Sequence, residues 1–473
     1  MTTADPPPTR RSLRTLETAA VSAAAPAGAM ASTATALAWV DEAAVGPAPA
    51  HSTAIPSGFR RAATDLLDRA PRRSPIRPGV LLPIAAVLVL VAGYCATTLL
   101  WPLTAVAPEV IPAVAAVAAP PASPAWPAQG SGAVTVAGMG SSATSAGDPV
   151  PIASITKVVT ALVVLDRMPL RPGQEGPAYR FGYADRAEYW DYRERGESAL
   201  DVPVGGTLSE YQLLQGMLIG SAGNYADRLA GSIWGSDAAF ADAAGDWLSR
   251  HGIAGITVVE PTGIDPRNTA TPDALLTLGR RALADPVIAG IVATPVVDLP
   301  GAGIVENTNP LLADPGVTGM KTGSLETFAL LAAKEVPVGP TTVSVLAVAL
   351  GQPDDQARDA AVRALFARTE EELRPFPSVA AGSVVGTIAA AWGERVDVVA
   401  AADAEVALWN GAAATITPAL ALTESWEGGA PAGTVTATGP LDASTIDAVL
   451  AEAIDGPSPW WRLTHPLALF GLA

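Results

Sequence analysis

Residues 149–165 read PVPIASITKVVTALVVL, an almost wholly apolar stretch with one serine and one lysine near its front. Ser154 and Lys157 are three apart, so on a helix they share a face about one turn from each other. Ile155, Val158, Val159, Leu162 and Leu165 cover the other faces. A helix that is apolar all round belongs inside a domain. A lysine there must be paired or give up its proton, because an unpaired buried ammonium is very costly. A lysine of depressed pKa beside a serine hydroxyl activates a nucleophile without histidine.

Ser-x-x-Lys alone is a common pattern, but composition sharpens it. The chain has 26 arginines and only three lysines, Lys157, Lys321 and Lys334. Arginine serves wherever a positive charge suffices, yet it cannot lose its proton and so cannot replace a lysine base. The lysines that persist are therefore candidates for chemistry. The three histidines, His51, His251 and His465, are scattered. They form no metal-ligand spacing, so no metal and no cofactor is expected. Cys95 is the single cysteine, which excludes an intrachain disulfide.

The chain has 473 residues and a net charge of −17, enough for two or three domains. Residues 1–79 hold nine arginines against six acids, a net of +3, which leaves −20 for the rest. An acidic body argues against a nucleic-acid partner. Residues 1–79, rich in Ala, Thr, Pro and Arg, read as a disordered segment. Arg60, Arg61, Arg69, Arg72, Arg73 and Arg77 precede an uncharged run from Val80 to Trp101. That run is long enough to cross a bilayer as a helix. The next basic residue is Lys157 and the next arginine Arg167. The positive-inside rule then puts the N-terminus in the cytoplasm and the rest outside, with the membrane reached through residues 80–101. A cleaved signal peptide is the competing reading, but the apolar run and the segment before it are too long for one. Residues 102–130, rich in Pro and Ala, read as a semi-rigid extended spacer.

Beyond it, residues 131–376 alternate strand and helix patterns. Tyr179–Tyr192 packs six aromatic residues among charges, read as core packing or, second, as a wall over a cleft. Residues 208–234 read as two helices broken at Gly220–Gly223. Thr271 and Pro272 fit an N-cap and first helical position. Residues 316–332 and 341–350 read as paired antiparallel strands, and 354–373 as an amphipathic helix. Residues 377–456 carry short strand-like runs at 384–388, 396–400, 414–418 and 433–438, a small β-rich domain ending in an expected helix at 441–454. The tail, residues 457–473, has adjacent Trp460 and Trp461. It is expected to touch a membrane interface or to pack back on the domain.

Three motifs fall in one order: Ser154-Ile-Thr-Lys157, Ser221-Ala-Gly-Asn224 and Lys321-Thr322-Gly323. Ser-x-x-Lys, Ser-x-Asn and Lys-Thr-Gly are the signature of penicillin-recognising serine enzymes. With the flanks IASITK, LLQGMLIGSAGNYAD, PTGID, NTNPLL and GVTGMKTGS, the chain resembles the D-alanyl-D-alanine carboxypeptidases, the low-molecular-mass penicillin-binding proteins. The resemblance covers about residues 130–370 well and extends loosely to 455. It implies an α/β (α+β) fold, an antiparallel sheet covered by helices with a helical lobe beside it and the site between them. It also implies a plasma-membrane enzyme acting outside on peptidoglycan stem peptides ending in D-Ala-D-Ala, inhibited by β-lactam antibiotics. Ser154 would be the nucleophile, Lys157 its base, and Ser221 a proton relay. Lys321 and Thr322 would hold the substrate carboxylate, Gly323 would let the backbone approach, and the N–H groups of Ser154 and Ser324 would form the oxyanion hole.

The second motif departs from this pattern. Gly223 stands where the asparagine belongs, and Asn224 follows it. Asn224 is expected to swing into the cleft; its alternative is to cap the following helix. Two other functions share the motifs. A β-lactamase would need a deacylating glutamate, for which Glu260 is the nearby candidate. A non-catalytic peptidoglycan-binding relative would keep the fold without the chemistry.

Overall fold

The strand Phe328–Val338 is central, paired on one side with Val317–Ser324 and on the other with Thr341–Gln352. The computed structural model describes residues 78–472 except 146 and 340. The arginine cluster at residues 60–77 and nearly all of the expected cytoplasmic segment lie outside the described residues. The antiparallel sheet continues through Ser131–Val136 to Ser142–Thr144. Both faces of the central strand are buried, with Leu331 and Ala333 in one core and Leu330 and Ala332 in another. A strand covered on both faces reads as a continuous apolar run, as FALLAA does here.

Helix α1 (Pro78–Leu100) precedes this domain. Helix α2 (Thr156–Arg167) and the helix Pro272–Ala284 fill one face of the sheet, while Asp355–Glu372 covers the other through Val362, Leu365 and Phe366. Helices α3 (Tyr183–Glu194), α4 (Glu210–Leu218) and α5 (Gly223–Trp234) build the helical lobe. The sequence rules place the ends. Thr271 caps Pro272–Ala284 by accepting from the Ala274 N–H, with Pro272 at the first helical position. Asp354 caps the long helix in the same way.

Two expectations change. The stretch 441–454 is not a helix: Ala443–Leu450 is a strand hydrogen-bonded to both Arg395–Ala400 and Pro431–Thr438. Its β-branched Thr445, Ile446 and Val449 suit a pleated surface, and pairing on both sides overrides the local helical pattern. The Pro/Ala-rich stretch is not a free spacer either. Glu109–Pro112 is the edge strand of the six-stranded C-terminal sheet, paired with Val384–Ala389. Pro112 is tolerated because it ends an edge strand. The chain then stays docked, the Val117 N–H donating to Ser378 O, Ala119 N–H to Ala412 O and Ser123 N–H to Glu372 Oε1.

The tail packs on the end of α1. Tyr94 Oη donates to Leu463 O at 2.7 Å, and Arg462 donates to the carbonyls of Leu99 and Trp101 at 3.2 and 2.9 Å. A cation on the last carbonyls of a helix satisfies groups that have no partner inside it. Trp101 meets Phe470 edge to face, while Trp460 stays 74 % exposed.

The C-terminal domain contributes Trp409 to the core on the outer face of the five-stranded sheet: it is 1 % exposed, shares that core with Leu365 and Phe366, and donates from Nε1 to Glu372 Oε2 at 3.0 Å. Trp409→Ala should cost about 3–5 kcal/mol. Calorimetry should then resolve two transitions where the parent protein shows one; an unchanged midpoint would show that the domains do not depend on this contact.

Candidate active site

The Ser154 turn is forced into shape before α2 begins. Ala153–Ile155 form a 3-10 turn, and Ala153 has φ +48°, a left-handed conformation unfavourable for alanine. Gly263 lies against it, and a Cβ there would overlap the Ala153 carbonyl. The glycine, itself at φ +81°, is thus required twice over. Among the described residues four non-glycines have positive φ: Ala153, Ser221, Met320 and Asn410. The first three sit beside or within the three sequence motifs, and such strain persists only where the surroundings impose it.

Lys157 is 1 % exposed, and its Nζ donates to Ser154 Oγ at 2.9 Å and to Thr262 O at 2.5 Å. Burial lowers its pKa from the usual lysine value to about 8, against the pull of the Glu260, Asp227 and Glu197 carboxylates. The Thr262 carbonyl is held by Glu260. The Glu260 carboxylate accepts from the N–H groups of Thr262, Gly263 and Asp265, from Thr262 Oγ1 and from Asn268 Nδ2. The segment EPTGIDPRN is therefore a carboxylate-centred loop presenting one carbonyl to the lysine.

The third motif lies on the sheet's edge strand. The Gly323 Cα backs onto the Ser154 turn, where a Cβ would stand 2.6 Å from Ile152 O. The glycine thus permits a close approach to the Ser154 turn, a different contact from the substrate approach expected of it. Lys321 is fully buried and donates only to neutral oxygens, Thr308 Oγ1 at 3.3 Å, Thr322 O at 3.1 Å and Thr322 Oγ1 at 3.4 Å. Burial, then Lys157, then Arg358 hold its pKa well below the ordinary value. Ser324 ends the strand and is exposed. Thr308 joins this motif to the second one. Its hydroxyl accepts from Thr322 Oγ1 at 2.8 Å and its N–H donates to Ile219 O, two residues before Ser221. Ser221, at φ +59° and 5 % exposed, occupies the break between α4 and α5. The structure thus brings Ser154, Lys157, Ser221, Lys321, Thr322 and Gly323 into one connected set.

Residues 142–336 match the family described as D-alanyl-D-alanine carboxypeptidase. The match covers less than half of the chain. A relative, the D-alanyl-D-alanine carboxypeptidase DacB2 of Mycobacterium tuberculosis, is 30 % identical over 180 residues, which are 37 % of this chain. The match spans 57 % of that relative's length. Among solved structures, penicillin-binding protein 5 of Haemophilus influenzae aligns with a TM-score of 0.49 at 17 % identity, over 71 % of this chain and 99 % of that one. A D-alanyl-D-alanine carboxypeptidase of M. tuberculosis aligns with a TM-score of 0.43 at 24 % identity, over 55 % and 96 %.

Within the matched segment Asn224 departs from expectation. Its Oδ1 accepts from the Leu200 N–H at 3.1 Å and its Nδ2 donates to Leu200 O at 2.8 Å. The amide is spent on the 198–201 loop rather than on the cleft, because Asn224 sits in the first turn of α5 beside that loop. It does not cap α5, whose N-cap is Ala222. Lys334, the third lysine, forms an ion pair with Glu370. Thr308 was missed as part of the site, and Glu260 was named only as a candidate deacylating glutamate and not as the holder of the Thr262 carbonyl, since Thr and Glu in loop text carry no spacing signal. Among the described residues no cluster of three or more His, Cys, Asp or Glu is placed to hold a metal.

Gly263→Ala should destabilise by more than about 1 kcal/mol, because a Cβ is excluded there and φ is positive. Gly231→Ala, in α5 with open space at its Cβ, should instead gain up to about 1 kcal/mol. Urea denaturation of the two variants checks the pair; equal midpoints would remove the argument that the glycine shapes the nucleophile turn.

Proposed function

We propose that this protein is a serine-type D-Ala-D-Ala carboxypeptidase that trims the terminal D-alanine of peptidoglycan stem peptides through an acyl-enzyme at Ser154. The observation that carries it is the Lys157 amine, buried and 2.9 Å from Ser154 Oγ. Its lowered pKa makes the neutral form accessible near physiological pH, as a general base requires.

The Ser154 oxygen attacks the carbonyl carbon of the penultimate D-alanine and Lys157 takes the hydroxyl proton. The C–N bond to the terminal D-alanine breaks, and the leaving nitrogen receives a proton relayed from Lys157 through Ser221. Water then cleaves the ester and frees Ser154. The N–H groups of Ser154 and Ser324 serve the oxyanion. Lys321 binds the substrate's terminal carboxylate with Thr322: burial and nearby cations hold its pKa well below the ordinary value in the empty cleft, and an arriving anion favours the charged form. The same contacts would serve the carboxylate of a β-lactam inhibitor.

The β-lactamase reading loses its glutamate, because both Glu260 oxygens are occupied by loop donors and none is left to activate water. A purely binding relative would have no use for a buried lysine held against a serine.

Gly79–Leu100 is the one described helix long and apolar enough to cross a membrane. We place it in the bacterial plasma membrane as a single span, N-terminus inside and catalytic domain outside, with residues 131–376 catalytic and 377–456 a β-rich domain. Trp101, Trp460 and Trp461 at its outer end suit the headgroup layer.

Mass spectrometry of a pentapeptide ending in D-Ala-D-Ala should show tetrapeptide and free D-alanine, and neither with Ser154→Ala. Lys157→Arg keeps the charge but cannot accept the proton, so acylation should fall by about a hundredfold or more. Near-parental acylation in that variant would make the lysine structural. For the parent enzyme the acylation rate should rise with pH through a midpoint near 8, because deprotonation of Lys157 creates the base. A rate flat from pH 6 to pH 10, a range of about four units around that midpoint, would assign the base elsewhere.

A further inference from the structure

The side-chain space at position 223 is not vacant. A Cβ on Gly223 would stand 2.6 Å from Tyr192 Cε1 and 3.3 Å from Ser198 O. Tyr192 comes from the last turn of α3 and is 4 % exposed. The Arg195 guanidinium lies 4.8 Å over the outer face of its ring. The Tyr192 hydroxyl donates to Asp227 Oδ2. Asp227 is four residues after Gly223 on α5, so the two share a helix face. The loop that follows α3 closes over the same spot, with the Gly223 N–H donating to Ser198 O at 2.8 Å and the Leu200 backbone holding the Asn224 amide.

We propose that Tyr192 is a positioning residue for the second motif and, through α5, for the Ser154–Lys157 pair: it fills from α3 the volume left empty at Gly223 and fixes the Asp227 carboxylate on α5, the helix packed against α2, which carries Lys157. The inference rests on the carboxypeptidase reading and adds to it a residue from outside all three motifs.

The electrostatics agree with the placement. The charged groups acting on Lys157 are Glu260 from its loop, Asp227 from α5 and Glu197 from the segment after α3, each raising its pKa. Lys321 and Lys157 act on each other across the site. Asp227 is itself raised to about 6, first by burial, then by Glu260, Asp237 and Glu188, against the Tyr192 hydrogen bond that lowers it. Losing the Tyr192 hydroxyl therefore makes Asp227 more easily protonated. That removes negative charge near Lys157 and lowers the lysine's pKa in turn.

The test measures the rate of Ser154 acylation by a fluorescent penicillin against pH, on the full chain in detergent. The variants are Tyr192→Phe, Asp227→Asn, these two combined, Gly223→Asn, and Gly223→Asn combined with Tyr192→Ala. Tyr192→Phe and Asp227→Asn should slow acylation about tenfold. Both should move its rising limb to lower pH, and together they should do no more than Asp227→Asn alone. Gly223→Asn restores the motif text yet should slow acylation, because its side chain meets the Tyr192 ring; removing that ring should recover part of the loss. Gly223→Asn at or above the parental rate would overturn the proposal. So would Tyr192→Phe with an unchanged rate and pH profile, and that isosteric variant decides the matter if the asparagine variant fails to fold. A parent protein that is not labelled at all would bring down the carboxypeptidase reading and this inference with it, whereas labelled parent with unaffected variants brings down this inference alone.

Discussion

The arrangement of the site depends on one amine kept inside the protein. Lys157 Nζ has two hydrogen-bond acceptors, the Ser154 hydroxyl and the Thr262 carbonyl, and neither is charged. Burying an ammonium without a paired anion costs several kcal/mol, so the site lowers the pKa instead of neutralising the charge. Glu260, Asp227 and Glu197 stand near enough to moderate that fall without contacting the amine. Glu260 could have formed a direct ion pair, which would have locked the lysine in its protonated form. Its oxygens are instead bound to the loop that carries Thr262, so the same carboxylate that moderates the lysine's charge also fixes its acceptor.

The second buried lysine shows what difference the surroundings make. Lys321 is as buried as Lys157, but the charges acting on it are the cations Lys157 and Arg358. One amine is poised to be neutral beside a nucleophile. The other, also held well below the ordinary lysine value, sits among hydroxyl and carbonyl oxygens where an arriving anion would favour its charged form. Two lysines on one cleft thereby suit different tasks, which follows the rule that acid–base assignments are set by environment rather than residue type. Backbone strain at Ala153, Ser221 and Met320 belongs to the same construction, since each motif is pressed toward the others by the elements behind it.

The core of this site was legible in the sequence for physical reasons. A lone lysine in an apolar helical stretch has few structural uses, and an arginine-rich chain makes each retained lysine conspicuous. The sheet was legible because FALLAA and TTVSVLAVAL are continuous apolar runs between turn residues. Other parts were hidden. Thr308 and Glu260 act through loop geometry, which has no period. Tyr192 lies among charges, and only the space at Gly223 shows why it is buried. The strand Ala443–Leu450 was misread because its pattern fits either period and its two neighbours decide it. The edge strand Glu109–Pro112 was obscured by the proline-rich text around it.

That last misreading changes how the domain is mounted. An extended spacer after α1 would let the catalytic domain range over many positions. Instead only the 3-10 turn Leu103–Val106 separates the end of α1 from a chain that enters the C-terminal sheet at Glu109. The tail closes the joint from the other side, because Arg462 holds the last carbonyls of α1 and Phe470 packs on Trp101. With both ends of the domain fastened at the outer end of the proposed anchor, little conformational entropy remains at the joint. The β-rich domain then acts as a fixed pedestal, joined to the catalytic domain through the buried Trp409. On the proposed anchor, the β-rich domain rather than a flexible linker would set the distance of the cleft from the membrane.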